Sequence, residues 1–144
     1  MDVVPMTADH IDALAAIEAA CFAAPWSREA LAEELDNPHA AFHVAVAGDR
    51  VLGYVGMHHL LDEGFIANVA VAPDARRQGV ARCLLSALDE YGRKHALYRL
   101  TLEVRASNTP AIALYEGAGY VSDGVRPRFY THPTEDAVIY SKYF

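Results

Sequence analysis

The segment from Asn68 to Ala81, NVAVAPDARRQGVA, reads as an apolar strand, a turn, and a glycine-containing loop that opens a helix. The first N–H groups of a helix have no internal partners and carry the positive end of the macrodipole, so a strand–loop–helix junction is suited to a phosphate. Gly79 and the small Ala81 let such an anion approach the backbone, and Arg76, Arg77 and Arg82 add positive charge. The same residues also fit a solvated basic patch beside an ordinary helix start, and both readings stand on this pattern alone. The loop is not a nucleoside-triphosphate loop, because Gly-Lys-Ser/Thr is absent, nor a dinucleotide fingerprint, because one glycine stands where three are needed.

Three further side chains are placed for chemistry. Glu103 falls at the end of a strand whose Leu100, Leu102 and Val104 point the other way, so its carboxylate is either an exposed strand residue or an accessible base. Tyr115, seven residues beyond Asn108, is either a core aromatic or a phenol able to donate a proton. Asn108 suits the N-cap of the helix that holds Tyr115. The seven histidines show no ligand pairing, and His58 and His59, adjacent on a strand, face opposite sides. No metal site is expected.

The elements that must position these groups follow from periodicity. Residues 2–6 read as a strand, and Thr7 caps a helix with Ile11, Leu14, Ile17 and Cys21 on its apolar face. Phe22 to Trp26 breaks that pattern. Ser27 caps a second helix that buries Leu31 and Leu35 and stops at Asn37-Pro38. Phe42, Val44 and Val46 lead through a Gly48-Asp49 turn into a strand from Val51 to Leu60. A turn at Asp62-Glu63-Gly64 follows, then Phe65 to Val71, whose near-continuous apolarity predicts a strand covered on both faces. Val80, Leu84, Leu85, Leu88 and Tyr91 give a helix to about Lys94, followed by a strand over 99–104 and a helix over 108–117. Tyr120 to Phe144 supplies two more strands around Thr131-His132-Pro133. The fold class is α/β, a mixed sheet with helices on both faces.

With 144 residues and no linker, repeat or low-complexity tract, one domain over 1–144 is expected. The net charge of −7 disfavours nucleic acid, which needs clustered Lys and Arg, and suits a basic protein partner. Cys21 and Cys83 each sit in an apolar helical pattern, which fits buried thiols and a reducing compartment. The N-terminus has no signal-peptide pattern and no stretch reaches the ~20 apolar residues of a membrane span, so a cytoplasmic location is expected.

Arg76-Arg77-Gln78-Gly79-Val80-Ala81 matches the signature Q/R-x-x-G-x-G/A, and with the element order the chain resembles the GNAT family of N-acetyltransferases. Blocks spread along the chain resemble the bacterial RimI type of that family. They are Phe22 with Pro25-Trp26-Ser27, Leu102-Glu103-Val104-Arg105 with Ser107-Asn108, Leu114-Tyr115-Glu116 with Gly119, and Glu135-Asp136-Ala137.

The resemblance implies a mostly antiparallel sheet whose central strands splay to admit acetyl-coenzyme A. It places Val69, Ala70 and Val71 on the pantetheine arm, residues 76–82 on the phosphates, and Asn108 on the cofactor. It also implies Glu103 as base, Tyr115 as acid, and direct transfer without an acetyl-enzyme. An α-amine with a reference pKa of ~7.7–8.0 is mostly protonated at neutral pH and needs such a base. The implied acceptor is the N-terminal alanine of a small-subunit ribosomal protein, met by a monomer through Trp26, Tyr130 and Asp136. A lysine side chain, a small-molecule amine, or coenzyme A binding without turnover are the alternatives. Arg126-Pro127-Arg128-Phe129-Tyr130 departs from the family, with Pro127 in the run and Phe129 where a tyrosine is usual.

Overall fold

The computed structural model covers all 144 residues. Strand β1 (Asp2–Pro5) passes through a 3-10 turn at Ala8–His10 into helix α1 (Ile11–Cys21), and the Thr7 N–H donates to His10 Nδ1 at 2.9 Å. Ile11, Leu14 and Ile17 are buried on one face of α1. Ser27 accepts the Ala30 N–H at 3.1 Å and starts α2 (Arg28–Glu33). The chain then tightens to a 3-10 turn at Glu34–Asp36. That change of pitch takes Leu35 off the inner face: Leu31 is fully buried but Leu35 is 39% exposed, which corrects the expectation that both lie inside.

β2 (Ala40–Ala47) and β3 (Arg50–Leu60) form the hairpin that the Gly48-Asp49 turn predicts. β4 (Glu63–Val71) starts two residues earlier than expected, because Leu60 already pairs with Glu63 and only Leu61-Asp62 makes the turn. The expected two-sided cover is also corrected. Ile66 and Ala70 are buried, whereas Phe65 is 40% exposed and Ala67 is exposed.

With β5 (Arg99–Arg105), β6 (Val121–Tyr130) and β7 (Glu135–Tyr143), the strands make one sheet in the order β1-β2-β3-β4-β5-β7-β6. Every neighbouring pair is antiparallel except β4–β5, which is parallel and pairs only Glu63 with Arg99, Gly64 with Leu100 and Phe65 with Thr101. Ala67 is then an extra residue against β3, a bulge that bends β4 where the pairing stops. Beyond it the facing edges of β4 and β5 part, and this splay is why β4 is apolar yet open.

Helices cover both faces, as expected. His58 reaches Glu34 just past α2 at 2.9 Å, whereas its neighbour His59 reaches Tyr91 on α3 (Val80–Lys94) at 3.2 Å on the other face. α3 buries Val80, Leu84, Leu85 and Leu88 against the sheet. Helix α4 (Thr109–Gly117) follows β5, and Asn108 Oδ1 accepts the Ala111 N–H at 3.3 Å at its start. Cys83 is exposed and Cys21 half-buried, so only the second fits the expected apolar setting. No helix is long and apolar enough to cross a membrane.

Candidate active site

On one side of the splay a cavity of about 660 Å³ lies between β4, the loop before α3, and α4. Ten of the eleven residues read as cofactor-binding line it: Val69, Ala70, Val71, Arg76, Arg77, Gly79, Val80, Ala81, Arg82 and Asn108. Gln78 does not; its Nε2 donates to Asp74 O at 3.3 Å within the loop. Gly79 sits at the start of α3 with φ +80°, and a Cβ there would meet nothing within 4 Å. The helix start therefore faces open space. Arg76, Arg77 and Arg82 pair with no acidic side chain of the protein, so their charge is left for an anion. Leu114 and Tyr115 of α4 also line this cavity.

On the other side of the splay lies a cavity of about 500 Å³, lined by Phe65, Ile66 and Ala67 of β4, Glu103 of β5, and Arg126, Phe129 and Tyr130 of β6. Glu103 is partly exposed, and its Oε1 forms an ion pair with Arg126, 3.0 Å from Nε. The Tyr130 ring lies 4.4 Å from the Arg105 guanidinium. Arg105 in turn donates to the Thr131 and Pro133 carbonyls at 3.0 Å and to Glu135 at 3.2 Å, pinning the β6–β7 turn to β5. Hydrogen bonds from Ser107, with the Arg105 charge, hold the Glu135 carboxyl below its usual range.

Neighbouring stretches of β4, 65–67 and 69–71, line the two cavities in turn. Burial pushes the Tyr115 phenol up to about 12, with neighbouring Tyr130 adding to the rise. Tyr130 is raised by burial and then by the negative charge of Glu103. Tyr130 thus lies within electrostatic reach of both Glu103 and Tyr115.

Trp26 and Asp136, read from the sequence as acceptor residues, line neither cavity. The Trp26 N–H donates to Glu18 Oε1 at 2.9 Å and its ring packs 6.0 Å from Phe42, anchoring the loop after α1. Asp136 Oδ1 accepts the Arg128 N–H at 2.9 Å, holding a bulge in β6. There the register passes from Arg126–Ala137 to Tyr130–Glu135, leaving Pro127, Arg128 and Phe129 unpaired. Pro127, with no N–H to donate, suits a bulge on an edge strand. Arg126 and Arg105 went unrecognised as site residues. Both stood in segments singled out for other reasons, and only the strand order β5-β7-β6 brings Arg126 onto Glu103.

The acetyltransferase (GNAT) family model matches residues 11–120, from the start of α1 to the residue before β6. The ribosomal protein bS18-alanine N-acetyltransferase of Escherichia coli strain K12 is 38% identical over 125 residues, covering 85% of this chain and 84% of that protein. The Salmonella typhimurium protein of the same name is 36% identical over 127 residues, with coverages of 85% and 84%. A crystal structure of the E. coli ribosomal-protein-S18-alanine N-acetyltransferase superposes with a TM-score of 0.90 at 32% identity, covering 99% of this chain and 92% of that one.

Proposed function

We propose that this chain, which belongs to the acetyltransferase (GNAT) family, moves an acetyl group from acetyl-coenzyme A onto the N-terminal alanine of a basic small-subunit ribosomal protein. The observation that carries the reading is the splay of β4 from β5, with Tyr115 on one side and Glu103 on the other. The identity of 38% to a bS18-alanine N-acetyltransferase supports the choice of acceptor.

The cavity beside α3 suits acetyl-coenzyme A in each of its parts. The unpaired edge of Val69, Ala70 and Val71 offers main-chain partners to the amide-bearing arm, as an exposed strand edge does to an added strand. The open helix start at Gly79 and the uncompensated Arg76, Arg77 and Arg82 suit its phosphates. When bound, the cofactor supplies an activated thioester carbonyl.

The chain's own residues handle the protons. Glu103 removes one from the incoming ammonium, leaving a neutral amine to attack the carbonyl directly. As the C–S bond breaks, coenzyme A leaves as the thiolate, and the second proton that the nitrogen sheds on becoming an amide passes to that sulfur or to solvent. Arg126 holds that carboxylate in the wall of the acceptor cavity. Tyr115 lines the cofactor cavity and, with its phenol at about 12, keeps its proton at working pH. A thiol's reference pKa of ~8.5 is more than three units lower, so Tyr115 steadies the departing sulfur by a hydrogen bond rather than by giving up its proton. A lysine ammonium at ~10.4 is a harder substrate for a carboxylate base than an α-ammonium at ~7.7–8.0, which favours the terminus. Mass spectrometry of an Ala-initiated basic peptide treated with enzyme and acetyl-coenzyme A tests the reading: one acetyl group on the α-nitrogen is expected, and acetylation elsewhere or none rejects it.

A further inference from the structure

Helix α4 ends in a clasp that joins Tyr115 to Tyr120. The Gly119 N–H donates to Glu116 O at 3.1 Å and the Tyr120 N–H to Tyr115 O at 3.0 Å, with Gly119 at φ +96°. This is the paired bonding of a Schellman motif, in which Tyr115 and Tyr120 are the two residues whose side chains meet. Their rings do meet, edge to face, with centroids 5.9 Å apart.

Tyr120 is only 2% exposed, and its hydroxyl has no hydrogen-bond partner in the protein. The other buried polar atom without a partner nearby is Asp89 Oδ1 on α3, whose negative charge acts on the Tyr120 phenol. The second Asp89 oxygen accepts from Lys142 Nζ of β7 at 2.6 Å, and Lys142 also donates to the Ala118 carbonyl at the end of α4 at 2.9 Å. A donor on one side and an acceptor on the other are therefore buried behind Tyr115, at the junction of α3, α4 and β7. Such groups are retained in a core at a cost, which an apolar ring at position 120 would avoid.

We propose that Tyr120, backed by Asp89 and Lys142, is a positioning residue that fixes where the Tyr115 hydroxyl stands in the splay. Tyr120 does not touch the reacting atoms; it acts through the ring it packs against. The inference rests on the reading that Tyr115 serves the departing sulfur. Its test is a double-mutant cycle in the full chain, using Tyr120→Leu and Tyr115→Phe and an Ala-initiated basic peptide at saturating acetyl-coenzyme A. The readouts are kcat, the acetyl-coenzyme A dissociation constant and Tm.

Tyr120→Leu should lower kcat at least about tenfold, within the ~10²-fold that misplacing a group by an ångström costs, with cofactor affinity nearly unchanged. In the Tyr115→Phe background the same change should leave kcat where Tyr115→Phe alone puts it, because there is no hydroxyl left to position. Tyr120→Phe, which keeps the ring contact and removes only the hydroxyl, should show a smaller loss with the same dependence on Tyr115, and it carries the test if Tyr120→Leu does not fold. Equal losses in both backgrounds, or no loss in either Tyr120 variant, overturn the proposal while leaving the role of Tyr115 intact. A Tyr115→Phe enzyme as fast as the parent instead removes the reading of Tyr115, and the proposal with it.

Discussion

In the proposed transfer Glu103 takes a proton from the acceptor amine and Tyr115 hydrogen-bonds the departing sulfur, and the two respond to pH in opposite ways. Glu103 matters only while the amine carries a proton. Glu103→Gln should therefore lower kcat by ~10²–10⁴ near neutrality with little change in acetyl-coenzyme A affinity. That deficit should narrow above the α-amine's own pKa of ~8, where the substrate sheds its proton unaided. A kcat profile of parent and variant checks this; a deficit constant with pH removes Glu103 as the base. For Tyr115 the sign is reversed. Its phenol is raised to about 12, so the donating form is full at every lower pH and begins to be lost only near that value. Tyr115→Phe should slow the reaction by a constant factor across the accessible range, and the parent should show no alkaline decline from this group below about pH 11. A parent rate that falls between pH 9 and 10 through a step missing from Tyr115→Phe contradicts the assignment.

Among the elements, the start of α3 is the most exposed to a single change. Gly79 holds φ +80° with open space where a side chain would stand. Gly79→Val puts a β-branched residue in the left-handed region, at a cost of about 1–3 kcal/mol. Calorimetry should show weakened acetyl-coenzyme A binding while circular dichroism shows a retained fold; unchanged affinity would place the cofactor elsewhere. The elements themselves were largely legible, because α1, α3, the β2–β3 hairpin and β5 are written in periodicity and turn chemistry. Periodicity reports which face is apolar but not what covers it. The apolar run of β4 thus predicted two-sided burial, whereas its partner strand leaves it after three residue pairs. Leu35 was misplaced by a change of helical pitch, and the three-residue bulge at Pro127–Phe129 has no local signal beyond its proline. Most residues lining the cavity beside α3 were legible because they lie on one local strand–loop–helix unit. Acceptor-side residues were less so: Trp26 and Asp136 proved to be anchors, and the partnership of Arg126 with Glu103 depends on distant strands meeting.

Across the whole molecule, charge is divided unevenly. Residues 1–38 hold eight of the nineteen acidic side chains and one of the twelve basic ones, so that helical segment carries the entire net charge of −7 and the rest is neutral. Long-range attraction of a basic acceptor by such a charge is screened over about 10 Å at 0.1 M salt. The KM for a basic Ala-initiated peptide should therefore rise with ionic strength at saturating acetyl-coenzyme A, and far less for a neutral peptide of the same start; equal salt dependence for both would remove steering from the account. The choice of acceptor amine is tested more directly by two peptides of one sequence. The first begins with a free Ala α-amine and carries basic residues behind it; the second has that amine blocked and one internal lysine free. With enzyme, acetyl-coenzyme A and a mass-spectrometric readout, rapid single acetylation of the first and far slower reaction of the second is the expected result, and equal rates on the two would contradict N-terminal transfer.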